Sequence, residues 1–252
     1  MARRTLVAVG AAVLVGAFAT AASANHSWGS YHWGRTANPF TLTVIDATSS
    51  NWTSYVNTAA GDWNSSSVLN LSKTTGTAKR RCPAVSGKIQ VCNDTYGNNG
   101  WLGVATIWTS GGHIAQATTK LNDTYFNSST YNTPAYRQFV ACQEIGHDFG
   151  LDHQDENFNN ANLGTCMDYT SSPSSNQHPN QGDYDQLLCI YDPTDSGRTL
   201  STTTHSCRGT GHLDSTNTNA MGIVEAPGQG VLVSRDGHLT QISVITYANP
   251  VH

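Results

Sequence analysis

Apolar and polar positions alternate over much of the first half of the chain. Residues 40–45 alternate and are rich in β-branched side chains, which predicts a β-strand. A helix is predicted next, with Ser50 or Asn51 as its N-cap, because apolar side chains then recur at helical spacing. These apolar positions are Trp52, Tyr55, Val56, Ala59, Ala60 and Trp63.

Further β-strands are predicted where short apolar or β-branched runs follow the helix. The runs are residues 68–71, 88–91, 102–108 and 113–121. Ser110-Gly111-Gly112 separates the last two runs and suits a tight reversal of the chain. The N-terminal half is therefore predicted to be β-rich, with one early helix packed on it.

The second half contains a longer amphipathic helix and less regular sequence. Thr133-Pro134 is typical of a helix start, and Gly150 is the predicted end of the helix. A short helix is predicted for residues 183–191. Near the C-terminus, runs at 231–234 and 239–247 flank Asp236-Gly237, which indicates a β-hairpin.

The N-terminus has the pattern of a secretory signal peptide. Arg3 and Arg4 precede an apolar run, and Ala22-Ser23-Ala24 supplies the small residues of a cleavage site. Residues 1–24 are therefore predicted to be removed, which places the mature protein outside the cell. A membrane anchor is the alternative interpretation, but no basic cluster follows the run.

Composition narrows the partners and the compartment. The chain has 13 Lys and Arg against 17 Asp and Glu, so we expect neither nucleic acid nor an anionic membrane as a partner. Its length suits a single domain, and we expect a monomer.

The six cysteines predict three disulfide bonds in an oxidising compartment. Sequential pairing is favoured, since Cys82 and Cys92 bracket a short segment and Cys142 and Cys166 flank the most informative stretch. This pairing leaves Cys189 with Cys207. The alternative, cysteine metal ligands, lacks any CxxC pair.

That stretch runs from Gln143 to His153 and has the spacing of a metal site. Gln143 and His147 are one helical turn apart, so both side chains can reach one ion, and Glu144 lies beside them. A left-handed Gly150 would reverse the chain and return His153 to the same ion.

These residues resemble the signature of the metzincin clan of zinc endopeptidases, H-E-x-x-H-x-x-G-x-x-H followed by a methionine turn. The matching positions are Glu144, His147, Gly150 and His153, with Met167 as the methionine of the turn. The resemblance implies a bound Zn²⁺ and cleavage of extracellular proteins or peptides. It makes His147 and His153 metal ligands, Glu144 the general base, and Tyr169 an auxiliary group at the transition state.

Gln143 departs from the signature, which has a histidine at this position. An amide oxygen can coordinate zinc but is a poorer donor than imidazole, so Gln143 is expected to be a weak third ligand. Two alternatives to a peptidase stay open. One is a degenerate site kept as a secreted binding module, and the other is a metal-dependent hydrolase acting on something other than peptides.

The resemblance also implies a fold and a domain plan. We expect an α+β, metzincin-like domain over residues 25–191, with a twisted mixed sheet, an early helix, an active-site helix and a small C-terminal subdomain. Residues 192–252 are expected to form a β-rich extension with an appended hairpin. Residues 101–108 are expected to be an edge strand, on which an extended peptide could dock.

Other polar residues near the motif are given no role. Asp148, Asp152 and Asp155 are interpreted as solvated acids near a helix end, with substitute metal ligands as the alternative, and His113 as an ordinary strand or turn histidine. The short stretch between Ala24 and Phe40 is too small for an inhibitory prosegment of the clan's usual kind. Latency, if there is any, is therefore expected to arise in another way.

Overall fold

The structure is a computed structural model that describes residues 26–28, 31–191, 224–226, 229–236 and 239–248. The predicted signal peptide and Cys207 lie outside the described residues. Among the helices that are described, none combines the length and the apolar character needed to cross a membrane.

Four α-helices and nine strands make up the described fold. The helices are α1 (Ser50–Trp63), α2 (Asp123–Phe126), α3 (Pro134–His147) and α4 (Gln181–Ile190). The strands are β1 (His32–Trp33), β2 (Phe40–Ala47), β3 (Leu69–Thr75), β4 (Lys88–Asp94), β5 (Trp101–Ser110), β6 (His113–Asn122), β7 (Val224–Ala226), β8 (Gln229–Asp236) and β9 (Leu239–Tyr247).

All described strands belong to one mixed sheet, in the order β3-β2-β4-β6-β5-β9-β8-β7, with β1 paired to β6. Strands β3, β2, β4 and β6 run parallel to one another. Strand β5 is antiparallel to β6, and the C-terminal strands continue in antiparallel fashion from β5. A mixed sheet with several helices agrees with the predicted combination of α and β structure.

The predicted elements are present, with shifted ends. Helix α1 begins one residue after Ser49, which is its N-cap, so the predicted caps Ser50 and Asn51 are wrong; Ser49 makes no side-chain capping bond. At α3 the Thr133 side chain accepts a hydrogen bond from the Tyr136 amide, as a capping threonine should.

Helix α3 ends at His147, earlier than the predicted end at Gly150. The chain tightens there because the amides of Phe149 and Gly150 bond to the carbonyls three residues before them, at 3.1 and 2.9 Å. Gly150 then adopts the left-handed conformation, with φ at +92°. The reversal predicted for this glycine therefore exists.

Strand β5 is not an edge strand, and this prediction is wrong. It pairs with β6 on one side and with β9 on the other, from Trp101 opposite Tyr247 to Thr109 opposite Thr240. The C-terminal hairpin was predicted correctly as β8 and β9, but it extends the main sheet. Its partner is distant in sequence, so local periodicity could not reveal the pairing.

The core joins α1, α3 and the sheet. Trp52 and Trp63 of α1 are fully buried, and the Trp63 indole donates a hydrogen bond to the Cys142 carbonyl of α3 at 3.0 Å. Gly146 faces the same indole, because a Cβ at this position would lie 2.6 Å from the Trp63 ring and 2.7 Å from the Met167 sulfur. Helix α3 can approach both side chains only because residue 146 has none.

Two predicted disulfides are present, Cys82–Cys92 and Cys142–Cys166. The second joins α3 to the loop that carries Met167. Cys189 is also disulfide-bonded, but its predicted partner, Cys207, lies outside the described residues.

Candidate metal centre

The motif side chains converge on the buried end of α3. Gln143, Glu144 and His147 are all fully buried on this helix. Beyond Gly150 the chain turns back, and the segment from 150 to 152 is held by backbone hydrogen bonds to His26 and Trp28. The Trp28 amide donates to the Gly150 carbonyl and the Asp152 amide to the His26 carbonyl, each at 2.9 Å.

This reversal brings the two motif histidines together. The Nε2 atoms of His147 and His153 are 3.0 Å apart, and their rings are nearly perpendicular. Two nitrogens bound to one tetrahedral zinc ion at about 2.0–2.1 Å would lie about 3.3 Å apart. The separation is therefore close to that of two ligands of one ion.

The partners of the other ring nitrogens fix the tautomers. His147 Nδ1 lies 2.9 Å from the Leu151 carbonyl oxygen, which can only accept, so Nδ1 carries the proton. His153 Nδ1 lies 3.3 Å from a Glu156 oxygen, which likewise accepts, and an Asp152 oxygen lies nearby at 3.6 Å. When the rings are neutral, Nε2 of each histidine is then a lone-pair acceptor.

Two lone pairs that face each other at 3.0 Å repel unless a proton or a cation lies between them. Burial lowers the pKa of His147 well below its usual value, which opposes protonation. A divalent cation between the two Nε2 atoms would remove this repulsion. A ligand histidine whose Nδ1–H is held by a carbonyl or a carboxylate is also the usual arrangement in protein metal sites. The residues present therefore fit a metal ion at this point.

Glu144 lies under β5, with its carboxylate packed against Gly103. A Cβ at residue 103 would lie 2.4 Å from Oε1 of Glu144, so the carboxylate fills the space of the missing side chain. Both carboxylate oxygens are buried without a hydrogen-bond partner of normal geometry among the described residues. Desolvation raises the pKa of Glu144 to about 8, against smaller opposing effects of Thr246 and the Ala105 backbone.

A Gly103→Ala substitution is expected to displace Glu144 and to lower any activity that depends on it, while leaving zinc content unchanged. The added methyl group would overlap a buried carboxylate, which must rotate or shift. Zinc content and casein cleavage of the purified variant would measure the two effects.

The matched control is Gly61→Ala. Gly61 lies in α1 and is exposed, with no atom within 4 Å of an added Cβ. This control should keep its activity and gain slightly in stability, because alanine is the better helix former. Full activity of Gly103→Ala would contradict the packing argument.

Gln143 lies one helical turn before His147 on α3, and its side chain is already hydrogen-bonded. Its Oε1 accepts a hydrogen bond of 2.7 Å from the Thr246 hydroxyl of β9. Its Nε2 is buried and has no partner among the described residues. The oxygen that would coordinate a metal is thus the atom that Thr246 contacts.

Met167 and Tyr169 lie on the loop that follows His153 in the chain. Both are buried, and the Tyr169 ring centre is 4.2 Å from that of His153. Burial raises the pKa of Tyr169 well above its usual value, so its phenol is neutral and able to donate. Its hydroxyl reaches the Ile245 carbonyl of β9 at 3.5 Å, the outer limit of a hydrogen bond.

No protein-family model matches this chain, and no curated protein matches it. The assignment of the site therefore depends on the arrangement of its side chains.

The neighbouring acids differ from the sequence interpretation. Asp148 is fully buried, not solvated, and accepts a 2.8 Å hydrogen bond from the Thr119 hydroxyl of β6. Burial raises its pKa well above the usual value, with a smaller contribution from Glu144. Asp152 is also largely buried, beside His153, whereas Asp155 is less buried and binds the amide of Asn157.

Sequence reasoning missed several residues of the site. Glu156 follows His153 by three residues, a spacing that could have suggested a carboxylate next to the ring. Asp152, His153 and Glu156 form a group whose potential ligand atoms lie within 4.8 Å of one another. The contributions of Gly103, Thr246 and the Leu151 carbonyl have no local sequence signal.

Proposed function

We propose that this chain is an exported zinc-dependent endopeptidase of the metzincin type, acting on extracellular proteins or peptides. The observation that carries the proposal is the 3.0 Å approach of the Nε2 atoms of His147 and His153, with the buried Glu144 on the same helix as His147. The signal-peptide pattern and the disulfides support export.

Each motif residue has a role in this mechanism. His147 and His153 would hold the metal, with Gln143 as a weak third ligand. When bound, zinc polarises the scissile carbonyl and lowers the pKa of a water. Glu144 would accept the proton of the attacking water and pass it to the leaving amine. The neutral phenol of Tyr169 donates a hydrogen bond to the carbonyl oxygen.

A secreted binding module with a degenerate site is the second candidate. It is favoured by Gln143, a neutral and poorer donor than imidazole, whose oxygen already accepts a hydrogen bond from Thr246. In that case the same fold would bind a partner without hydrolysis, and the site would hold little metal.

Elemental analysis of the full chain, purified without chelator, separates the two candidates. One zinc per chain and casein cleavage that stops with a zinc chelator would support the endopeptidase. A protein that contains no zinc and takes up none on titration would overturn it in favour of the binding module.

A Gln143→His substitution is expected to raise zinc affinity by more than about 10-fold, because imidazole replaces a neutral amide oxygen at a ligand position. Competition titration against a fluorescent zinc chelator would measure this gain. Gln181→His is the matched control, because Gln181 is exposed at the start of α4. Equal affinities of the two variants would remove residue 143 from the proposed ligand set.

A further inference from the structure

Strand β9 pairs with β5 from Trp101 to Thr109, in the same sheet and next to the site. The face of β5 that looks toward Glu144 carries Gly103, Ala105 and Ile107. The residues of β9 opposite them in the ladder are Thr246, Val244 and Ile242, each at most 2 % exposed. Strand β9 thus adds a row of buried side chains to the face of the sheet that packs against Glu144.

Two contacts of β9 involve the groups proposed to act in hydrolysis. The Ile245 backbone carbonyl lies at the Tyr169 hydroxyl, the donor proposed for a substrate carbonyl. The next residue, Thr246, donates its hydroxyl proton to Oε1 of Gln143, the proposed ligand atom. The Ile245 carbonyl therefore lies where a substrate carbonyl would accept from Tyr169, and the Thr246 hydroxyl lies at the atom proposed to bind the metal.

The motif side chains of α3 are enclosed in the structure, in which β9 is paired with β5. Gln143, Glu144 and His147 are fully buried while β9 is in place. A general base must come within hydrogen-bonding distance of the reacting water or substrate. An extended peptide that adds to β5 by backbone pairing needs the edge that β9 occupies.

We propose that β9 is an internal competitor of the substrate, which keeps the site closed until Leu239–Tyr247 leaves β5. The ligand class that replaces it is an extended peptide that pairs antiparallel with β5, as β9 does. This inference rests on the proposed function for its consequence in catalysis. Competition for the β5 edge is a binding property and can be measured without catalysis.

A disulfide across the two strands would hold β9 in place. Thr106 and Ser243 face each other in the ladder, with their hydroxyl oxygens 2.8 Å apart. They lie on the face of the sheet turned away from Glu144, because Gly103 and Ala105 supply the other face. The double variant Thr106→Cys/Ser243→Cys of the full chain is therefore a lock that does not touch the site.

A second full-chain variant would release the strand. Ile242 is fully buried, and Ile242→Asp would bury an unpaired carboxylate between β9 and the core, which disfavours the paired state. Gln241→Asp is the matched control, because it adds the same charge to the neighbouring, half-buried position. Circular dichroism checks that each variant is folded.

The probe is a fluorescein-labelled peptide with the sequence of residues 239–247. We expect it to bind Ile242→Asp at least 10-fold more tightly than the oxidised lock, since binding requires the open state. Mild reduction of the lock should restore the binding of the unsubstituted chain, which is treated with the same reductant for comparison. Casein cleavage should follow the same order.

Equal peptide binding by the oxidised lock and by folded Ile242→Asp would overturn the inference. If Ile242→Asp does not fold, the oxidised and reduced forms of the lock decide alone, and equal binding by these two forms would overturn it as well. Peptide binding that the lock blocks, with no cleavage by any variant, would leave β9 as a competitor and overturn the endopeptidase function. Cleavage that neither the oxidised lock nor Ile242→Asp changes would support the endopeptidase function and overturn the role of β9 as a competitor.

Discussion

Replacing Glu144 by glutamine is expected to lower casein cleavage by a factor of about 10²–10⁴, the usual contribution of general acid–base catalysis. The amide has nearly the same size as the carboxylate, so it should fit the space beside Gly103 without a new clash. It cannot accept the proton of the attacking water. Zinc content should stay the same, because the residue is not a proposed ligand.

Cleavage would be measured in the full chain and in the Ile242→Asp background, so that closure by β9 does not mask the effect. Asp185→Asn is the control, because this exposed carboxylate of α4 undergoes the same chemical change far from the motif. Unchanged cleavage by Glu144→Gln, with the control also active, would exclude Glu144 as the base.

Replacing His153 by alanine is expected to lower zinc affinity by more than about 100-fold, which exceeds the usual effect of losing a partner of a ligand. It removes one of the two Nε2 lone pairs that define the site. Cleavage should be lost in parallel. A chelator should lower the melting temperature of the unsubstituted chain, because ligand binding stabilises the folded state, but should leave that of the variant unchanged.

His178→Ala is the matched control, since His178 is largely exposed and pairs with Asp62. Zinc affinity and melting temperature would be compared by titration and by thermal scans with and without chelator. A His153→Ala protein with normal zinc affinity would place any metal elsewhere.

Local sequence pattern was sufficient to predict most helices and strands and the approach of the two motif histidines. The apolar spacing of α1 and α3, the alternation of β2 and the glycines between β5 and β6 each depend on neighbours in sequence. The approach of His147 and His153 could be foreseen, since it needs only one helical turn and one left-handed glycine.

Long-range packing could not be predicted in this way. Gly103 lies opposite Thr246 in the β5–β9 ladder, and no sequence pattern near either residue predicts this pairing. Asp148 has the appearance of a surface acid at a helix end, yet packing against Thr119 buries it completely. In both cases the neighbours come from strands that are distant in sequence, and the order of strands in the sheet decides which of them meet.

The disulfide between Cys142 and Cys166 has a consequence for the metal-free protein. Each cysteine immediately precedes a residue of the site, Gln143 on α3 and Met167 on the loop after His153. Helix α3 and the Met167 loop are therefore covalently joined whether or not an ion is present. Small metal-dependent domains, in contrast, unfold without their metal. Under the proposed function, a protein stripped of its metal would therefore keep its shape, and removal of the ion would be reversible while the disulfide is intact.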